Sequence, residues 1–162
     1  MRTAAFESAG RFRESLIAGE EPELCVRLRA AGWKIYRLDE EMGLHDAAMH
    51  RFSQWWKRSM RSGYAYAEGA ALHGRSPEQH WVRESRRAWL WGALLPAGAL
   101  VASVAAWPLG LLAWTIFPLQ VARIAMHTDG SLSRRILRAC FLVLGKFPEA
   151  IGQFKYVARR SG

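Results

Sequence analysis

AWLWGALLPAGALVASVAAWPLGLLAWTIFPLQVA, residues 88–122, carries no charged side chain, whereas residues 1–87 are highly charged. Two such stretches of one chain belong in different solvents. An apolar helix of about 20 residues crosses a bilayer. Ala88 to Ala106 makes one span and Pro108 to Met126 a second, with Trp107-Pro108-Leu109-Gly110 as the turn between them. Arg123 lies near the end of the second span, where its head can snorkel to water. Arg83, Arg86 and Arg87 precede the pair, and Arg123, Arg134, Arg135 and Arg138 follow it. Positive charge at both ends places both ends in the cytoplasm. A hairpin satisfies that, and a single crossing does not. A hairpin buried in a soluble domain is the alternative with the same composition.

C-terminal to the hairpin, residues 127–162 read as a basic interfacial region. Ser131 to Gly145 is expected to form a short helix, basic first and apolar later, ended near Pro148. The basic tail Lys155 to Arg160 can hold to anionic lipid.

On the N-terminal side, His50 to about Leu72 reads as an amphipathic helix within a region spanning residues 50–87. Phe52, Trp56, Met60, Gly63, Ala67 and Ala70 recur at helical spacing, opposite Arg51, Gln54, Lys57, Arg58 and Arg61. An aromatic face opposite a basic one suits a helix lying at a membrane surface; a helix packed on its own domain is the alternative. His73 to Gln79 is expected to be a loop. Earlier still, Glu21-Pro22-Glu23 opens a helix, with Pro22 suited to the first position and Gly32 as its stop. Trp33 to Leu38 reads as a short strand.

The chain has 23 Lys plus Arg against 14 Asp plus Glu, a net charge of +9. Such an excess favours an anionic partner. The basic residues flank the apolar stretch or lie on the helix beside it, which ranks lipid headgroups and nucleotide-sugar phosphates above nucleic acid. No nucleic-acid-binding module is present in the pattern, and no nucleic-acid partner is expected. Cys25 and Cys140 have neither CxxC nor metal-type spacing and read as reduced thiols in a cytoplasmic setting. The first residues lack the apolar run of a signal peptide.

Three groups of residues carry chemistry. Glu20, Glu21 and Glu23 fall within four residues at a helix start, where the dipole stabilises negative charge and a general base can stay ionised; helix caps and solvated surface look the same. His45 beside Asp46 has the makings of a metal ligand with an orienting carboxylate. Gln54, Lys57, Arg58 and Arg61 can neutralise a diphosphate leaving group, or merely form a solvated basic face.

Taken in order, Phe12 through GEEPELCVRLRAAGWKIYRLDEEMGLHD, then an aromatic-basic helix, then a membrane hairpin, resembles the family 2 glycosyltransferases. The motifs cover roughly residues 6–75; residues 88–126 match by hydropathy and order alone. The resemblance implies a mainly α chain: the C-terminal remnant of an α/β GT-A domain (residues 1–49), an interfacial helix and a transmembrane hairpin. It implies Glu21 as the catalytic base, where many relatives have Asp, removing a proton from an acceptor hydroxyl as it attacks the anomeric carbon with inversion. Glu20 would support it, Glu23 would be structural, and His45 would be a late ligand to a divalent metal, Mg or Mn. Gln54 to Arg58 matches more loosely the Gln-x-x-Arg-Trp box of processive members, with Lys57 in the Arg place and Arg58 in the Trp place.

The implied activity is hexosyl transfer from a nucleotide sugar to a lipid-linked or envelope saccharide, in polysaccharide biosynthesis at the inner (cytoplasmic) membrane. The family's nucleotide-binding half, a Rossmann-like unit of roughly 100 residues with an Asp-x-Asp box, has no counterpart here, so the chain is expected to be a fragment inactive alone. A noncatalytic membrane anchor or interaction protein is the other reading.

Overall fold

The computed structural model describes residues 1–36, 39 and 49–161. The end of the expected strand, Arg37 and Leu38, and His45-Asp46 lie outside the described residues.

Within them the chain is mainly helical, with no strand. Trp33 to Tyr36, read from sequence as the start of a strand, is irregular. A strand needs a neighbour to take its N–H and C=O groups, and none is present among the described residues. The helices are α1 (Thr3–Ser8), α2 (Glu20–Ala30), α3 (Phe52–His73), α4 (Val82–Trp89), α5 (Leu95–Ala105), α6 (Ile116–Met126), α7 (Leu132–Leu144) and α8 (Lys146–Ser161).

The termini of α2 follow from two glycines. Gly19 precedes it at φ 87° and Gly32 follows at φ 84°, the left-handed region that only glycine enters without strain. At the C-terminal end the Gly32 N–H bonds Arg29 O and the Trp33 N–H bonds Leu28 O, a Schellman closure. Pro22 sits at the third helical position, not the first; the first-turn N–H groups have no intrahelical acceptor, so either place is tolerated. Helix α2 rests on α1 through Leu24, Leu28 and Ala5, with Phe6, Ala9 and Trp33 around them.

A wide π-type turn, Leu90–Leu94, joins α4 to α5, making one continuous helix from Val82 to Ala105. The widening lies just before Pro96, which has no N–H for the Gly92 carbonyl and whose ring would crowd it. After the Trp107-Pro108 turn, a 3-10 segment (Leu109–Thr115) runs into α6. Val82–Ala105 and Leu109–Met126 are each long and apolar enough to cross a membrane, and only 11% of the most apolar window of each is buried. Leu94, Leu100, Val101, Val104, Leu112 and Leu119 are exposed. The hairpin is therefore not the buried core of the described chain, and so continuous an apolar surface calls for a nonaqueous neighbour.

The principal packing in the rest of the molecule is α3 on α8. Gly63 of α3 faces the backbone of Glu149, and Gly152 of α8 faces the backbone of Met60 and Tyr64, with no room for a Cβ at either. Small residues let two helix axes approach this closely. Helix α8 also meets α4: Ser85 Oγ donates to Gln153 Oε1 at 2.6 Å, and Gln153 Nε2 donates to Ser85 O at 3.0 Å. Both polar ends of the fully buried Gln153 are thus satisfied. The helix expected over Ser131 to Gly145 is found as α7, Leu132–Leu144, with Ser131 and Gly145 at its caps, and the second helix that follows it was not expected. Helix α8 starts at once, with Pro148 as its third residue. The basic tail Lys155 to Arg160 is part of this packed helix.

Three contacts grip α3. Helix α8 covers Met60, Gly63 and Tyr64, while the Trp81 ring lies against Gly69. At its N-terminal end Phe52, Trp55 and Trp56 form an aromatic cluster that reaches Phe141 of α7, with the Trp55 and Phe141 centroids 5.0 Å apart. Part of the face read as membrane-facing is therefore covered by the protein itself.

Candidate functional site

The acidic box owes its position to Gly19. A Cβ there would strike the Trp81 ring and meet Ala65 of α3, so the turn into α2 fits under Trp81 only as glycine. Glu20 and Glu21 are the first two residues of α2. Glu20 is half-buried and Glu21 exposed. Both stand where the helix presents unbonded N–H groups.

Glu23, one turn in, is 1% exposed. Arg27 holds it from both sides: Nε donates to Oε1 and Oε2 at 3.0 and 2.9 Å, and Nη2 to Oε2 at 2.7 Å. His73 Nε2 lies 2.9 Å from Oε1 and Arg13 Nε 3.4 Å. Burial alone would raise the Glu23 pKa. The bonds from Arg27 and His73, with the charges of Arg27 and Arg13, outweigh it and hold the carboxyl below its ordinary value. Arg27 in turn donates to the carbonyls of Ala9 and Arg11. The knot ties α2 to the end of α3 and to the chain before α2.

Arg61 of α3 donates from Nη2 to Ile17 O at 3.0 Å, linking the loop before the box to a cavity of about 450 Å³. Four cations line it: Lys57 and Arg61 from α3, Lys155 and Arg159 from α8, with Ile17 and Tyr64 beside them. Of the four diphosphate candidates read from sequence, the structure brings Lys57 and Arg61 into this cavity. Gln54 is used otherwise: its Oε1 accepts from the His50 and Arg51 N–H groups at 3.0 and 3.1 Å, capping α3. Arg58 is exposed and does not line the cavity.

Sequence reading missed three residues. Lys155 and Arg159 were read as part of a basic tail that holds to anionic lipid. Glu68 is the single charge in the run Ser62–Leu72, which was the available signal. Its Oε2 is buried with no partner among the described residues. Burial raises its pKa, the nearby Glu20 adds to that, and the Ile17 backbone, Arg159 and Arg13 partly offset it. A half-buried carboxyl with one buried oxygen thus lies near both Glu20 of the acidic box and Arg159 of the basic cavity.

His45, the expected metal ligand, lies outside the described residues. Among those described, no group of three or more His, Cys, Asp or Glu side chains converges as a metal site. The described donors do not make a metal centre, and no chemical step is derived through one. The described site offers two carboxylates at a helix start, one half-buried and one exposed, and a four-cation cavity attached to the loop before them. The cations suit a phosphate or diphosphate, and an ionised carboxylate at the helix start suits proton removal. No known family, no curated protein and no solved structure matches the chain.

Proposed function

We propose that this chain is the acceptor-side, membrane-anchored part of an inverting family 2-type glycosyltransferase. It would move a hexose from a nucleotide sugar to a lipid-linked or envelope saccharide together with a nucleotide-binding unit. The observation that carries the proposal is the joining of the Gly19-Glu20-Glu21 turn to the Lys57/Arg61/Lys155/Arg159 cavity through the Arg61–Ile17 bond. Glu21 is the base that takes the acceptor proton, Glu20 supports it, and the cations stabilise the leaving diphosphate. A simple anchor has no need of this juxtaposition.

The assembled enzyme should transfer labelled sugar with inversion at the anomeric carbon. Arg61→Gln should lower kcat/KM about tenfold, less than loss of an enclosed oxyanion donor because Arg61 is exposed. Retention of configuration, or an unchanged kcat/KM in that variant, would contradict the reading.

In the same proposal the hairpin crosses the inner membrane with residues 1–87 and the C-terminus in the cytoplasm, supported by the arginines at both of its ends. Single cysteines in a background without Cys25 and Cys140 test it. Leu109→Cys should react with an impermeant maleimide in intact cells, and Arg75→Cys and Ser161→Cys only after permeabilisation. The reverse pattern would overturn the orientation.

A further inference from the structure

Arg87 is the last charge before the uncharged run of residues 88–122, and Arg123 is the first after it. The hairpin brings the two to the same end, where both line a cavity of about 540 Å³. His127 and Lys146 complete its basic rim. Four pieces of chain converge there: α4 and its π-type turn, the end of α6, α7, and the start of α8. The geometry is braced. His127 Nδ1 donates to Arg123 O at 2.8 Å, and Arg135 Nε donates to Ala125 O at 2.6 Å, tying α7 to α6. Lys146 is paired with Glu149 at 2.6 Å, and none of the described residues lining the cavity is a carboxylate. Among the described residues no ion pair engages Arg87 or Arg123.

Of the remaining lining residues Gln120 and Thr128 are polar, and Trp91, Ile124, Leu142 and Val143 form an apolar wall. A soluble phosphate has no use for that wall. We infer that this cavity seats an anionic phospholipid, its phosphate between Arg87 and Arg123 and its chains lying along the exposed apolar surface of the hairpin. The charges bracketing an uncharged membrane run stand at the level of lipid phosphates, where each basic group near the surface favours an anionic headgroup. The inference rests on the hairpin part of the proposed function and is independent of sugar transfer.

The test uses the full chain reconstituted into vesicles of phosphatidylcholine, with and without phosphatidylglycerol. Flotation reports insertion, and native mass spectrometry counts retained lipid. The wild type should insert into both vesicles and retain phosphatidylglycerol in preference to phosphatidylcholine. Arg87→Gln/Arg123→Gln should insert equally and lose that preference by about tenfold or more. Arg87→Lys/Arg123→Lys, which keeps the charge, should retain most of it.

Failure to insert into neutral vesicles would remove the hairpin reading and this one with it. Normal insertion with equal phosphatidylglycerol retention by wild type and the Gln variant would overturn the lipid seat alone. Displacement of the lipid by equimolar inorganic phosphate would assign the rim to soluble phosphate and also overturn it.

Discussion

Glu21→Gln in the enzyme assembled with its nucleotide-binding unit is expected to lower kcat by about 10²- to 10⁴-fold, the usual contribution of a general base. Gln has nearly the shape of Glu but cannot accept the proton. Glu21 is exposed at the second position of α2, so the change leaves the Arg27–Glu23 knot intact, and stability should hold. Donor KM should change little, because the cations assigned to the diphosphate are on α3 and α8. Circular dichroism checks folding, and initial rates at saturating donor check kcat. Near-normal kcat would remove the base from Glu21; the half-buried Glu20, beside the raised-pKa Glu68, would be the next carboxylate to test.

Glu23→Ala is expected to destabilise the protein by about 3 kcal/mol, the low end of the roughly 3–5 kcal/mol for breaking a buried pair. The carboxylate is 1% exposed, while Arg27 and His73 are 19% and 17% exposed, so the variant strands two poorly hydrated donors. Arg27 keeps its carbonyl acceptors at Ala9 and Arg11, and Arg13, at 42% exposure, adds little; hence the low end. Glu23→Gln should cost less and leave kcat per folded molecule unchanged, which separates Glu23 from Glu21.

The effect has a pH signature. Glu23 is held below its ordinary 4.5 when folded, so its stabilisation is present above that value and lost as pH falls through the folded pKa. Burial raises Glu68 and Glu149, and these act in the opposite sense: they destabilise when ionised and are relieved as pH falls. Thermal unfolding of wild type and Glu23→Gln should therefore differ near neutral pH and converge in acid. A gap unchanged from neutral to strongly acid pH would show that the carboxylate's charge is not what stabilises the knot.

Local rules account for what the sequence determined alone. The uncharged run of residues 88–122 sets the two apolar helices and their turn, since hydrophobic length needs no partner to be read. Gly32 stops α2 as expected, its start lies one residue before the expected Glu21, and periodicity gives α3, found at Phe52–His73 against an expected His50 to Leu72. Local rules failed wherever a distant segment decides. Trp33 to Tyr36 has strand composition but no neighbouring strand among the described residues. Pro148 reads as a stop, yet it lies in the first turn of α8, where proline is tolerated because a first-turn N–H has no helical acceptor to lose. The assignment of α8 as a packed helix depends on Gly63 meeting Glu149 and on Gly152 meeting Met60 and Tyr64, a pairing invisible in either segment.

The site divides along the same line. The acidic box, Lys57 and Arg61 were legible as residue types at recognisable spacing. That Lys155 and Arg159 join them, and that Glu68 has a buried oxygen near Glu20, were decided by the docking of α8 and the loop before α2 onto α3, while Gln54 is taken up locally by the cap of α3. Burial and charge proximity are properties of three-dimensional neighbours, and the sequence lists only neighbours along the chain.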